Sequence, residues 1–357
     1  MENNEIDESS ESSSSSFTPA VPPVLAVFGY SKDKLLFEQA MRSFRRLAEK
    51  GQICQIRLYD DANDPMYNDG EEPEDVVRIE TTWDRGGFRR GGFNEETVRG
   101  ILASLNDALS NTGADWVVKA DCDAAINSLE FMADLMPNVY GEFGCEAAQG
   151  ISMGVTHAFS APCLHRMLEL IDERMPLARL IVLDRPEAPS TSVLASMTGM
   201  KRELVKHDGT VGVGWRHSIP AFGVLDADKI KKFMSCVSVF FKPSIPAGTP
   251  PERESEIYRV ALANMTAYTD ELIVHGDEYA PKPPPRKWSR LSLKRALFSK
   301  GWWATAKGLM QAADAYDDFL MCDYVQEDDP AFIPLLDEMR RIYGPEIDEV
   351  LDALPLE

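Results

Sequence analysis

Short apolar runs alternate with amphipathic stretches in the first part of the chain. Residues 24–28, 53–59 and 116–118 have the length and composition of buried strands, and residues 76–80 form a further short one. A helix is expected after the first strand, because large apolar residues recur there at helical spacing: Phe37, Met41, Phe44 and Leu47. A second helix is expected over 94–111. Strands alternating with helices predict an α/β fold with a mostly parallel sheet.

The later pattern predicts fewer regular elements. A helical stretch is expected over 127–136, and another helix begins near Ser160 and Pro162. The Asp208-Gly209 turn indicates a hairpin within 206–217. Residues 236–243 read as a strand that closes the main domain, residues 243–251 as a linker and residues 252–275 as a helix.

Composition and charge narrow the classes of function. The formal net charge of -21 argues against non-specific binding to nucleic acid, because phosphate backbones attract basic surfaces. Six scattered cysteines show no zinc-type spacing and read as reduced thiols. Residues 1–20 hold five carboxylates without Lys or Arg, so we expect a disordered tail. There is neither an export signal nor a long apolar run, which favours a cytoplasmic setting.

Three regions are therefore expected: the tail 1–20, a main domain 21–245 and a helical extension 246–357. Within the extension, residues 281–310 carry eight basic residues and no acidic one, interleaved with aromatic residues. The basic segment 282–310 could contact an anionic membrane near a lipid-linked acceptor. It could equally pack on its own tail, because residues 311–357 hold 14 carboxylates and two arginines.

Carboxylates mark two of the predicted strand ends. Asp60 and Asp61 follow the second strand, and Asp121 and Asp123 follow the run that contains Trp116. Open α/β sheets bind ligands at the carboxyl ends of their strands. An Asp-x-Asp pair there can supply two hard oxygen ligands to a divalent cation, which in turn can hold a diphosphate. Asp121 and Asp123 are therefore either a candidate cation site or simply a polar strand end.

The ordered set of motifs resembles the nucleotide-sugar half of GT-A-fold glycosyltransferases. The set comprises the Gly29-Tyr30 strand end, Asp60-Asp61-Ala62-Asn63-Asp64, the Arg-Gly-Gly segment and Asp121-Cys122-Asp123, within residues 24–135. The resemblance implies a Rossmann-like mixed, mostly parallel sheet flanked by helices. It also implies transfer of a sugar from a nucleoside diphosphate donor to a hydroxyl acceptor, on a glycan or a lipid-linked molecule, with Mn²⁺ or Mg²⁺.

The same resemblance implies roles for individual residues. Tyr30, Asp60 and Asp61 would contact the base side of the nucleotide, and Arg85, in a mobile basic loop or a plain surface loop, would lie near it. Asp121 and Asp123 would bind the cation, with His217 or His207 as a late third ligand. Family members often carry a paired Glu-Asp that includes the catalytic base. Here Glu187 has no adjacent Asp, so Glu187 is the candidate, followed by Asp184.

Two other functions share parts of this pattern. Sugar-1-phosphate nucleotidyltransferases have a similar sheet, but residues 29–33 lack their Gly-rich basic phosphate loop. A GT-A-like domain without activity could serve as a binding or scaffold module. The unpaired Glu187 and the unassigned third cation ligand keep that reading open.

Overall fold

The computed structural model describes residues 21–83, 95–130, 132, 140–148, 151–173, 191, 194–195, 198–205, 210–212, 225–241, 249–279 and 285–286. The helices are α1 (Lys34–Glu49), α2 (Glu95–Thr112), α3 (Ala161–Glu173), α4 (Ala227–Met234) and α5 (Pro251–His275). The strands are β1 (Val24–Gly29), β2 (Gln55–Asp61), β3 (Val76–Thr81), β4 (Trp116–Asp121), β5 (Ala124–Ile126), β6 (Tyr140–Ala148), β7 (Ile151–Ser160), β8 (Lys201–Val205), β9 (Thr210–Gly212), β10 (Ser238–Phe240) and β11 (Pro285–Arg286).

Eight strands form the main sheet, in the order β11-β8-β6-β7-β4-β1-β2-β3. The neighbours β4, β1, β2 and β3 run parallel, β7 is antiparallel to β4 and β6, and β8 is parallel to β6. The mixed, mostly parallel α/β architecture expected from the sequence is confirmed. Because β1, β2 and β4 are parallel neighbours, the loops that follow them meet at one edge of the sheet.

The central strands are buried on both faces, as their continuous apolar runs require. On one face, Val27 and Val118 belong to a core that also contains Phe44 of α1 and Met265 and Tyr268 of α5. On the other face, α2 packs against β1 and β4 and contacts α3. Helix α5 shares the core of the sheet, so the first helix of the predicted extension is continuous with the main domain.

A second sheet of three strands has the order β5-β10-β9. Its strand β5 covers residues 124–126, directly before the helix expected over 127–136, and residues 127–129 are not helical. That prediction is wrong there because β5 pairs antiparallel with β10, more than a hundred residues later, and the backbone N–H of Asn127 donates to the carbonyl of Val237 at 2.8 Å. Residues 131 and 133–139 lie outside the described part of the chain.

The hairpin expected within 206–217 is also corrected by strand pairing. Strand β8 pairs with β6 and β11 of the main sheet, whereas β9 pairs parallel with β10 of the second sheet. The strands on the two sides of Asp208-Gly209 therefore join different sheets. Partners distant in the chain decide the pairing here, and a local turn signal carries no information about them.

Several of the predicted segments fall wholly or mostly outside the described residues. These are the tail 1–20, the basic segment 282–310 apart from 285–286, and the acidic tail 311–357. Among the helices that the structure describes, none combines the length and the apolarity needed to cross a membrane.

Candidate functional site

The register of the sheet brings three strand ends together. Gly29 of β1 lies opposite Asp60 of β2, and Phe28 lies opposite Asp121 of β4. A side chain at Gly29 would start 2.4 Å from the terminal methyl group of Met66 and 3.8 Å from the Cβ atom of Cys122. The end of β1 is thus enclosed by the segments that follow β2 and β4, and only a glycine fits there without displacing Met66.

The loops after β1 and β2 are fastened to each other. The backbone N–H of Ser31 donates to the carbonyl of Asp64 at 2.9 Å, and the Ser31 hydroxyl donates to the Asp64 carboxylate. The carbonyl of Tyr30 accepts a hydrogen bond from the N–H of Asp33 at 3.0 Å, which opens the helical turn that precedes α1. Tyr30 itself is half-buried at this edge. The loops are therefore fixed before any ligand arrives.

Asp60 is fully buried and its carboxylate is occupied. One oxygen accepts from the N–H of Met66 at 2.8 Å, and the other accepts from Arg78 Nε at 2.8 Å and from the N–H of Tyr67 at 3.3 Å. These contacts close the loop after β2 onto β3. The structure therefore places the Asp60 carboxylate beneath this loop, in the interior of the protein. The neighbouring Asp61 is half-buried, and one of its oxygens accepts from the N–H of Asn63 at 2.9 Å.

Asp121, Cys122 and Asp123 form the turn that connects the main sheet to β5. The side chain of Asp121 is 40% exposed, and one of its oxygens accepts from Lys119 Nζ at 2.8 Å. Cys122 is buried, and its thiol donates to Asp33 at 3.3 Å. Asp123 is 8% exposed, and its carbonyl accepts from the N–H of Phe241 at 3.0 Å. One carboxylate thus reaches solvent while the turn is held on both sides.

Asn127 anchors the chain just beyond this turn. Its side-chain amide donates to the carbonyls of Phe233 at 3.0 Å and Cys236 at 2.6 Å, while its side-chain oxygen accepts from the Tyr268 hydroxyl at 2.7 Å. Its own carbonyl accepts from Arg46 at 2.7 Å. Through this one residue, α1, α4 and α5 fix the exit of the Asp-x-Asp segment. A buried network with all its members paired is rigid.

The aromatic side chains beside the edge form a continuous layer. Phe28 stacks on Tyr59 at 5.3 Å between ring centroids and meets Trp83 edge-on at 6.3 Å. The Trp83 indole lies against Gly100 of α2, where a Cβ atom would come within 2.2 Å of the ring. Burial raises the pKa of Tyr59 well above its ordinary range, so the phenol stays protonated and donates to Asp107 at 2.8 Å. These rings pack together on the sheet next to its carboxyl edge.

The donor chemistry of the Asp-x-Asp turn fits a hard divalent cation. Within the described residues, no three potential ligands of the His, Cys, Asp or Glu type come together. Mg²⁺, however, is commonly held by one or two carboxylates together with substrate phosphates and water. Asp121 and Asp123 are of the residue type that would form the protein's share of such a site.

Four of the residues singled out from the sequence lie outside the described part of the chain: Arg85, Asp184, Glu187 and His217. His207, the alternative third ligand, does so as well. Of the others, Tyr30, Asp61, Asp121 and Asp123 stand at or just after the carboxyl ends of β1, β2 and β4, and Asp60 is buried near the end of β2.

Sequence reasoning missed three polar residues that build this edge: Asp33, Lys119 and Asn127. One signal was present for Lys119, because it interrupts an apolar strand two positions before Asp121, on the same face. Asp33 and Asn127 gave no comparable signal, because their partners are distant in the sequence. Asp33 contacts Cys122, which is 89 positions away, and Asn127 contacts Tyr268, which is 141 positions away.

Comparison with known proteins gives only distant similarity. No family model and no curated protein matches the chain. Among solved structures, a glycosyltransferase involved in the glycosylation of the major capsid of PBCV-1 is 10% identical, with a TM-score of 0.37, covering 67% of this chain and 100% of its own. The galactosyltransferase LgtC in complex with donor and acceptor sugar analogs is 9% identical, with a TM-score of 0.39, covering 73% and 97%. An active-site mutant of LgtC is 10% identical, with a TM-score of 0.38, covering 66% and 95%. Superpositions this loose assign no function to the chain.

Proposed function

We propose that the chain is a metal-dependent glycosyltransferase that moves a sugar from a nucleoside diphosphate to a hydroxyl acceptor. The observation that carries the proposal is the Asp-x-Asp turn at the carboxyl edge. It presents the exposed carboxylate of Asp121 beside the ends of β1 and β2. Carboxyl ends of parallel strands are where open α/β sheets bind nucleotides. The resemblance of the ordered motifs to GT-A enzymes supports the assignment of the reaction.

The arrangement of the edge suggests how a donor would lie. Tyr30 and Asp61 belong to two loops that are fastened to each other, so they offer a preformed surface for the base and ribose. Asp60, which the resemblance also assigns to the base side, is buried and holds the second loop in place. Arg85 is proposed from the resemblance to act near the phosphates. A bound cation would neutralise negative charge that builds on the departing diphosphate.

Asp121 and Asp123 would hold that cation, in a turn fixed by Phe241 and Asn127. A fixed turn matters because its carboxylates need no rearrangement to bind the cation, so ordering them costs little free energy of binding. If the sugar is transferred with inversion, a carboxylate within hydrogen-bond reach must take the acceptor proton. Glu187 is proposed for this role, with Asp184 as its alternative. If the configuration is retained, no such base is required.

A thermal-shift experiment tests the donor site. Wild type and Asp123→Asn are heated with UDP, GDP, CMP or dTDP compounds, each with and without Mn²⁺. We expect one nucleotide to raise the Tm of the wild type only when Mn²⁺ is present, and to leave Asp123→Asn unmoved, because a ligand stabilises only the state that binds it. Equal shifts in both proteins would place the nucleotide elsewhere.

One observation favours a second candidate, a binding or scaffold protein without catalysis. Asp121 already has a cationic partner within the chain, Lys119, at 2.8 Å. In a protein that no longer binds the cation, the Lys119 ammonium group would balance the charge of Asp121 in its place. The two candidates differ in turnover: the enzyme releases nucleoside diphosphate from its donor, whereas a scaffold binds the donor intact.

A further inference from the structure

Lys119 is a buried cation in direct contact with a candidate cation ligand. Its side chain is 4% exposed, whereas that of Asp121 is 40% exposed, and Nζ lies 2.8 Å from Oδ1. The pair is thus asymmetric: the lysine belongs to the interior of the sheet and the aspartate to its surface. No role for this lysine follows from the Asp-x-Asp motif itself.

The surroundings of Lys119 hold its charge in place. Its ammonium group lies 5.8 Å from the centroid of the Phe28 ring. Across the strand pair, Lys119 lies directly opposite His157 of β7, on the same face of the sheet. His157 is buried and bonds through Nε2 to the buried carboxylate of Glu142 on β6. An ammonium group enclosed in this way cannot leave Asp121 for water without opening the sheet, and an unpaired buried charge is costly.

A fixed positive charge changes what the site attracts. Lys119 cancels one negative charge at the turn and stands beside a proposed ligand of the cation. A free divalent cation is therefore repelled by Lys119, while a diphosphate is attracted by it, and both effects weaken only slowly with distance in a partly buried site.

We infer that Lys119 makes the site discriminate against a cation that arrives without a diphosphate, because its charge repels the cation and attracts the diphosphate. Lys119 is then a specificity residue for the charge of the ligand. This inference rests on the proposed function, because it requires that Asp121 and Asp123 take a cation. By linkage, diphosphate must tighten cation binding by the same factor as the cation tightens diphosphate binding.

The test measures binding alone, with Mn²⁺ and inorganic pyrophosphate as probes. Mn²⁺ binding is followed by the electron paramagnetic resonance of the free ion, and pyrophosphate binding by equilibrium dialysis with and without Mn²⁺. The variants are Lys119→Met, which removes the charge at similar volume, and Lys119→Arg, which keeps it. Lys50→Met is the matched control: Lys50 is also ion-paired, to Asp277, but lies beyond the far end of α1, at the opposite edge of the sheet.

We expect Lys119→Met to bind Mn²⁺ alone about tenfold more tightly than wild type and, in the presence of Mn²⁺, to bind pyrophosphate about tenfold more weakly. Lys119→Arg and Lys50→Met should stay close to wild type in both measurements. If the methionine variant does not fold, Lys119→Gln removes the same charge and keeps a donor for Asp121.

Two failures are distinguishable. If wild type binds both probes and Lys119→Met binds each of them with the affinity of wild type, the inference about Lys119 is overturned while the site stands. The inference is also overturned if wild type binds Mn²⁺ equally well with and without pyrophosphate. If wild type binds neither probe, the proposed function is lost and the inference with it.

Discussion

Two neighbouring segments at one edge of the sheet begin with aspartates and differ in what surrounds them. After β2, Asp60 is fully buried and accepts hydrogen bonds from Met66, Tyr67 and Arg78. After β4, the side chain of Asp121 is 40% exposed, and one of its oxygens accepts a hydrogen bond from Lys119 on its own strand. The Asp60 carboxylate accepts hydrogen bonds from the loop that covers it and so holds that loop in place. The Asp121 carboxylate contacts a buried lysine and also reaches solvent, which is the arrangement a ligand site requires.

The contrast shows that a carboxylate's role depends on the groups around it more than on its position at a strand end. Arg78, the buried partner of Asp60, arrives 18 residues later, on β3. Among the residues that the structure describes, no ion pair from a neighbouring strand closes over Asp121, whose partner Lys119 is buried in the same strand. Substitutions at the two strand ends should therefore separate stability from ligand binding.

Asp60→Asn should produce the largest loss of stability. The substitution leaves the Arg78 guanidinium, whose side chain is 6% exposed, without its buried carboxylate and weakens the loop after β2. Breaking a buried, hydrogen-bonded ion pair typically costs about 3 kcal/mol or more. Urea unfolding measures the free energy difference. A loss no larger than that of an exposed pair would show that Asp69 and Glu80, the other partners of Arg78, are sufficient.

Asp121→Asn should destabilise the protein less than Asp60→Asn does, but it should abolish ligand binding. Lys119 loses its charged partner while it remains buried, so we expect a loss of about 2 kcal/mol in the free energy of unfolding. Binding of Mn²⁺ with pyrophosphate should disappear. A variant that loses as much stability as Asp60→Asn and still binds the probes would reverse the roles assigned to the two strand ends.

Tyr268→Phe tests whether the exit of the Asp-x-Asp turn is held by α5. The change removes one buried hydrogen bond, from the hydroxyl to Asn127, and keeps the ring in the core. A loss of about 1 kcal/mol is expected in urea unfolding. Looser placement of the turn should also weaken the Mn²⁺-dependent Tm shift. An unchanged shift would limit Tyr268 to a structural role.

Asp75→Asn supplies the baseline for an exposed ion pair. The side chain of Asp75 is 43% exposed, close to that of Asp121, but its partner Arg45 is 47% exposed. Screening by solvent limits the expected loss to about 0.5 kcal/mol at neutral pH. The hydrogen bonds from Arg45 lower the pKa of Asp75, so this contribution is present above the carboxyl's ordinary pKa and is lost as the pH falls through the lowered one. A loss that persists in full at acidic pH would contradict this assignment.

The sequence predicts the strands and helices of the first half well, because β1, β2, β4, α1 and α2 are long apolar runs or regular amphipathic stretches. It fails where distant segments decide the structure. The second sheet forms because residues 124–126 pair with residues 238–240, and residues 127–129, predicted as the start of a helix, leave this strand without helical structure. The same limit applies to the site. The sequence identifies Asp60 and Asp121 as equivalent strand ends, but their burial depends on Arg78 and on the packing of whole loops.

The most direct test of the central claim is release of nucleoside diphosphate from nucleotide sugars in the presence of Mn²⁺. Wild type is compared with Asp123→Asn, and Asp75→Asn serves as a control away from the proposed site. The account predicts that wild type and Asp75→Asn release the nucleoside diphosphate of one donor, that the rate depends on Mn²⁺, and that Asp123→Asn is inactive although folded. The contrary result is that folded wild type binds a nucleotide sugar but releases no nucleoside diphosphate, even with Mn²⁺ and a range of sugar acceptors. That result would contradict the proposed enzymatic activity and support a binding protein.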